Sequence, residues 1–247
     1  MVNNFLLFVS QILLLISFNS LVLSSQPLAS DKRFGHIDVT SGLANNMVTG
    51  ITQDDAGFLW FSTFDGLCRY DGYTIKTFRQ SDKKNSISDN FILDIYTCSN
   101  NYLWIGTNSG GLSQFNSTTH LFKNYLPNDT DSTSIASARV TSIAEDNEGY
   151  LWLASYFGGL TRLNPVTNET KIYSHIAENK GSISSNLTTE VIVDNAGIIW
   201  IGTQDAGLNR FDPQTETFKH YFADEQDSSS LATNEIYSLF VNSDGVL

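Results

Sequence analysis

DNAGIIWIGTQDAGLNRFDP, residues 194–213, packs a turn, an apolar strand centred on Trp200, a second turn and an aromatic strand into one short stretch. The same order surrounds every Trp of the chain. Trp60, Trp104, Trp152 and Trp200 lie 44, 48 and 48 residues apart. A period of this size calls for a repeat architecture before any other fold. Twelve residues before each Trp stand Val48, Ile92, Val140 and Thr188; nine before it stand Ile51, Ile95, Ile143 and Val191. Two after it the residue is small (Ser62, Gly106, Ala154, Gly202), and Thr63, Thr107, Ser155 or Thr203 follows. A Gly-Leu pair then opens the next segment at Gly66-Leu67, Gly111-Leu112, Gly159-Leu160 and Gly207-Leu208.

Each unit reads as four short strands, A to D. Strand A is VTGITQD, FILDIY, RVTSIAED or TEVIVD. The following DDAG, DNEG and DNAG supply Asp, Asn and Gly for a tight turn. Strand B carries the Trp, strand C starts at Gly-Leu, and strand D is a stretch such as TIKTF or TFKHYF. Strands A and B are apolar on both faces, so neighbouring units must cover them. Radial packing of such sheets gives an all-β fold, a β-propeller of four-stranded antiparallel blades. Four complete blades are expected, plus part of a fifth. SSSLATNEIYSLFVNSDGVL, residues 228–247, starts that unit, and the pattern calls for Trp as the next residue. The chain therefore reads as a truncated propeller or a fragment, expected to expose two uncovered sheet faces and to self-associate.

A Trp in this position is expected to anchor one blade against the next. Its burial removes about 150–250 Å² from water, on the order of 4–6 kcal/mol gross. Ser86-Ile87, Ser134-Ile135, Ser182-Ile183 and Ser230-Leu231 recur in the long D–A loops and read as packing plugs.

The rest of the chain narrows the class. Residues 1–25 contain the apolar run FLLFVSQILLLISFNSLVL and read as a signal peptide, with an N-terminal anchor as the alternative. The propeller is assigned to residues 33–247 and to the periplasm. A formal charge of −12 disfavours nucleic acid and anionic lipid. Cys68 and Cys98 fall on different units, which disfavours a bridge between them. Four Asn-x-Thr sequons, at Asn116, Asn128, Asn168 and Asn186, are in keeping with an Asn- and Thr-rich composition. Asp146-Asn147-Glu148-Gly149 lacks the alternating ligands of a calcium loop and reads as a hairpin turn. His120, His175 and His220 fall on or near strand D, scattered and far from a shared axis. Neither a metal site nor a catalytic pair is expected, and no nucleophile elbow or phosphate loop is present.

At these residues the chain resembles a known family. The pattern Asp-x-x-Gly-x-Leu-Trp-Ile-Gly-Thr-x-x-x-Gly-Leu-x-Arg-Phe/Tyr-Asp is similar to the two-component regulator propeller repeat. DDAGFLWFSTFDGLCRYDGYTIKTF (54–78) and DNAGIIWIGTQDAGLNRFDPQTETF (194–218) follow it closely, and FGHIDVTSGLANNMVTGITQD (34–54) resembles the start of the first propeller. Blade two departs from it: Cys98 replaces the turn Asp and Asn101 the turn Gly, which implies an altered turn. The resemblance implies the sensing end of a membrane signalling protein. A histidine kinase or diguanylate cyclase, further blades and a membrane span would follow outside these residues. No catalytic residue or cofactor is implied for the propeller itself.

Strand polarity puts the B–C and D–A loops at one end, where a ligand is expected. The B–C loops vary at Phe64 and Asp65, Asn108 and Ser109, Tyr156 and Phe157, and Gln204 and Asp205. Tyr156-Phe157 is the foremost candidate, because two adjacent aromatics in a turn are costly without a partner. Arg139 enters strand A of the same blade and is suited to a carboxylate or a sugar hydroxyl. The expected partners are a small-molecule or carbohydrate ligand and, through the full-length protein, a second copy. A membrane is reached only through the leader or a downstream span. The alternatives are a propeller lyase or hydrolase, which requires His, Glu or Asp converging near the axis, and a plain interaction scaffold.

Overall fold

Each Trp lies on the second strand of a four-stranded antiparallel sheet, and the chain makes four such sheets in the order of its repeats. The computed structural model describes residues 35–83, 85–99, 102–128, 130–131 and 133–247. Blade one comprises β1 (Val48–Gln53), β2 (Leu59–Thr63), β3 (Gly66–Tyr70) and β4 (Ile75–Phe78). Blade two has β5 (Ile92–Thr97), β6 (Tyr102–Thr107), β7 (Leu112–Asn116) and β8 (Leu121–Tyr125). Blade three has β9 (Val140–Glu145), β10 (Leu151–Ser155), β11 (Gly159–Leu163) and β12 (Thr170–Tyr173). Blade four has β13 (Thr188–Val193), β14 (Ile199–Thr203), β15 (Leu208–Asp212) and β16 (Thr217–Tyr221). The predicted leader and Asn101 lie outside the described residues.

The A–B turns explain why the strands start where they do. Gly57, Gly149 and Gly197 take φ between 79° and 87°, a left-handed conformation open to Gly at low cost. One Oδ of Asp54, Asp146 and Asp194 accepts from the backbone N–H of Phe58, Tyr150 and Ile198, closing the turn. The other Oδ accepts from the indole N–H of Trp60, Trp152 and Trp200, at 2.8 Å each time. A single carboxylate thus ties the turn to the anchor. In blade two Cys98 holds that place, and the buried Trp104 Nε1 has no hydrogen-bond partner.

The seams between blades repeat as faithfully as the sequence does. Trp60 packs against Ile92, Ile95, Leu103 and Ile105 of blade two, with Ile87 as plug. Trp104 meets Val140, Ile143, Leu151 and Leu153, with Ile135. Trp152 meets Val191, Ile199 and Ile201, with Ile183. The three indoles are at most 1% exposed, as an inter-blade anchor requires. Trp200 is half-buried beside Leu231 and Leu247, where a 510 Å³ concavity opens. Small residues after the Trp serve close approach. A Cβ on Gly106 would stand 2.8 Å from the Val140 carbonyl oxygen, and one on Gly202 2.7 Å from Ile236.

Strand A carries a bulge in every blade, skipping Thr49, Leu93, Thr141 and Thr189 in the ladder. The extra residue reaches the next unit: the hydroxyls of Thr49, Thr141 and Thr189 donate to the carbonyls of Ile92, Thr188 and Ile236. The plug serines act within their loops. Ser86, Ser134, Ser182 and Ser230 each accept from and donate to the backbone of one residue upstream: Ser81, Asn128, Ile176 and Asp224.

Three expectations need correction or completion. Strand A is buried only where a preceding blade covers it: Ile95, Ile143 and Val191 are at most 7% exposed, whereas their equivalent Ile51 on blade one is 63% exposed. Residues 236–241 form no strand, as no β partner pairs with them among the described residues. The turn of that fifth unit is nevertheless built, with Asn242 accepting from the N–H groups of Asp244 and Val246. Cys68 and Cys98 are both buried and lie in different places, Cys68 under Leu43 on blade one and Cys98 in the seam of blades two and three.

Replacing Asp146 with Ala removes the acceptor of one indole and two backbone N–H groups. It should destabilise the fold by about 2–4 kcal/mol in urea unfolding. Cys98→Asp should act in the opposite direction by supplying Trp104 with a partner. Equal, small effects of both changes would show that the carboxylate tie contributes nothing.

Candidate functional site

The B–C loop of each blade is held by its own strand A. The N–H groups of Phe64, Asn108, Tyr156 and Gln204 donate to the carbonyls of Met47, Phe91, Arg139 and Leu187. One residue from each B–C loop and one from each strand entry therefore share a layer at this end of the inner strands. Strand entry is apolar in three blades, at Met47, Phe91 and Leu187; blade three has Arg139 there.

Blade three departs from the repeat in more than this residue. In the other blades the Thr after the small residue closes the loop, donating to the carbonyl of Gly66, Gly111 or Gly207. Blade three has Ser155 instead, and its buried Oγ has no partner. Thr188, from blade four, takes over. Its hydroxyl accepts from the Ser155 N–H at 2.7 Å and bonds the carbonyls of Ser155 and Gly159. Tyr156 also forms an isolated bridge with Leu187 of blade four. The loop is thus stitched across the seam.

The stitched loop displays its aromatics. Phe157 is 74% exposed and has φ of +71°. That conformation is a genuine outlier for a bulky residue and costs on the order of 1–3 kcal/mol. Its ring meets Tyr156 edge-on, with centroids 4.6 Å apart. On the other side the Arg139 guanidinium lies 4.4 Å from the Tyr156 centroid. Tyr237 stands close by: its hydroxyl is pushed up first by its hydrogen bond to Glu235, and Tyr156 adds to the effect.

The other sequence-derived candidates are distributed differently. Phe64 packs on Phe91 of the next blade, with centroids 4.2 Å apart. Asp65 is tied sideways to Arg79 at 3.0 Å. Asn108 and Gln204 are half-buried in the loop layer, and Asp205 is exposed beside them in sequence. The structure joins Arg139, Tyr156 and Phe157 in one cluster and sets Phe64 in another. This cluster is an open shelf. Four concavities lie away from it: that against Trp200, one of about 300 Å³ among the turns at Asp146 and Gly197, one of about 390 Å³ at His175 and His220, and one of about 310 Å³ beside Tyr150 and Asn164.

Sequence reasoning missed two features. His175 and His220 are not scattered: they line one groove with Lys180, because strand D of blade four passes beside the D–A loop of blade three. One ring nitrogen of each faces the carbonyl of Ile183 or Ser182 at 2.9 Å. Among the described residues no group of three His, Cys, Asp or Glu could hold a metal. The second feature is a pair of acids on the inner strands. Ten residues before each Trp stand Gly50, Asp94, Ser142 and Glu190. Asp94 accepts from the backbone N–H of Ile95 and, across the seam, of Ile143. Ser142 accepts from Val191 N–H and donates to Glu190. The sequence signal was a repeat position whose residue type changes from blade to blade.

Burial pushes Asp94 up to about 6. Burial, with the nearby Asp94 charge added, pushes Glu190 up to about 7, against the Ser142 hydrogen bond. A carboxyl raised in the folded state binds protons the unfolded chain has released. Its stabilising contribution is complete below its ordinary value near 4 and is lost as pH rises through 6 to 7. Asp94→Asn with Glu190→Gln should therefore flatten the fall in unfolding free energy between about pH 4.5 and 7.5. An unchanged profile in denaturant melts across that range would remove the assignment.

Comparisons with known proteins agree with this architecture. The family model described as two component regulator propeller matches residues 42–65 and 134–157, the second span carrying Arg139, Tyr156 and Phe157. The extracellular domain of a proposed hybrid two component system, BT3049 of B. thetaiotaomicron, is 28% identical with a TM-score of 0.72 over 87% of this chain. That of a proposed one component system, BT4673 of the same organism, is 23% identical with a TM-score of 0.69 over 86%. The chain spans only 28% and 30% of those two domains. Virginiamycin B lyase from Staphylococcus aureus, 16% identical with a TM-score of 0.53 over 74% of this chain and 58% of its own, shares the fold alone. No curated protein matches the sequence significantly. The chain has the two component regulator propeller fold.

Proposed function

We propose that this regulator propeller is the ligand-sensing input region of a membrane signal-transduction protein, working on the periplasmic side. It binds and relays; chemistry is performed by other parts of the signalling system. The ligand is a small molecule, with carbohydrates among the candidates, taken at the loop mouth of blades three and four. Arg139, Tyr156 and Phe157 form the centre of that mouth, with Asn108, Gln204 and Asp205 as polar surroundings.

The observation that carries this reading is the convergence of departures from the repeat. Arg139, Ser155, Phe157 and Thr188 each break a rule the other blades keep, and all four meet with Tyr156 at one seam. Where local rules fail together in an otherwise consistent repeat, function is the usual reason. Residues on loops over a rigid scaffold are also where binding concentrates. A ligand bridging the shelf would touch two blades, which gives binding a way to bias their seam.

The enzyme reading calls for acids converging near the axis, and Asp94 and Glu190 do lie on inner strands. Both oxygens of Asp94 are engaged by backbone N–H groups, however, and Glu190 is held by Ser142. These are seam contacts.

A panel of sugars and small metabolites, tested by thermal shift, should contain compounds that raise the melting midpoint. Occupancy at a hundred times Kd contributes about 2.7 kcal/mol. Tyr156→Ser with Phe157→Ser should abolish that rise while leaving the unliganded transition cooperative. A rise unaffected by the double change would remove the shelf from consideration.

A further inference from the structure

Resting on the mouth as the ligand site, we infer that Arg139 reads a carboxylate there, so that the ligand joins a single carboxylate to a flat or apolar ring face. The repeat gives this position an apolar residue in blades one, two and four, so the architecture does not need an Arg. In place it is incompletely used. Its Nε is buried with no hydrogen-bond partner. Among the described residues the ion pairs are Arg79–Asp65 and Lys171–Glu216, and neither includes it. The chain has 26 acidic residues against 14 basic ones, so an unpaired Arg is not explained by scarcity of acids.

The geometry says what would complete it. The Arg139 guanidinium carbon lies over the Tyr156 ring, 4.4 Å from its centroid. The ring takes none of the guanidinium's N–H donors as a carboxylate would, and a carboxylate matches a guanidinium edge with two parallel bonds. Phe157, exposed and held at positive φ beside Tyr156, offers a flat apolar surface next to the charge. A polyanion is a poorer match, because Tyr237 near Tyr156 already carries the Glu235 carboxylate as its partner. A neutral ring compound would gain the apolar surface and leave the guanidinium edge unmet.

Benzoate and benzamide separate these cases, since they share a ring and differ in charge. Each is titrated into the full chain. Binding is read from the ring resonances of Tyr156 and Phe157 and from the Nε–Hε resonance of Arg139 by NMR. Benzoate should bind at least tenfold more tightly than benzamide and shift the Arg139 signal. Arg139→Gln should remove the difference, and Arg139→Lys should restore only part of it, because an ammonium lacks the paired edge. Equal binding of the two compounds, or a preference that survives Arg139→Gln, overturns the carboxylate assignment and leaves the mouth as a site. If neither compound perturbs the Tyr156 and Phe157 rings, the shelf itself is not the site and both readings fall.

Discussion

One carboxylate in each A–B turn of blades one, three and four holds the architecture together by bonding two things at once. It closes the turn through a backbone N–H and satisfies the indole N–H of the Trp that the blade inserts into its neighbour. The constraint behind this is general. An indole gives a large apolar area to a seam, but its N–H must find a partner when buried. Placing the acceptor six residues upstream, in the turn that positions the Trp strand, solves both needs locally. Blades one, three and four then each carry their own finished anchor.

Close approach follows from that anchor. The residue after next must be small because the following blade lies upon it, and the plug residue fills the space the Trp leaves. The seam is further sewn by bulged Thr residues on strand A that donate across to the next unit. Against a pattern this regular, exceptions become informative. Blade two relinquishes the tie at Cys98 and leaves Trp104 without a partner. Blade three changes how its mouth loop is closed, borrowing Thr188 from blade four, and displays two aromatics and an Arg on the result. The first exception deprives a buried indole of its acceptor. The second assembles a surface.

Much of this was legible in the sequence because repetition makes strands, turns and anchors visible together. The four-stranded blades, the Trp seams, the small residues and the Ser-Ile plugs all follow from aligned spacing. Tyr156, Phe157 and Arg139 stood out as residues the pattern does not require. What could not be read was contact between units. Thr188 looks like an ordinary strand residue until its hydroxyl is seen closing another blade's loop. Asp94 and Glu190 look like exposed polar residues of alternating strands, since a strand pattern does not say which side faces a seam. His175 and His220 meet because a strand of one blade passes a loop of the one before. In each case the missing information is the packing of neighbours, which local periodicity does not contain.

The turn-to-indole tie is tested most directly by the four indole N–H resonances in a ¹H–¹⁵N spectrum, assigned by single Trp→Phe changes and followed through hydrogen exchange. Three of them, from Trp60, Trp152 and Trp200, should lie downfield of Trp104, because a carboxylate accepts from each and none from Trp104. Trp60, Trp104 and Trp152 should exchange far more slowly than an exposed indole. Four coincident signals at the position of a free indole, exchanging at once, would contradict the account.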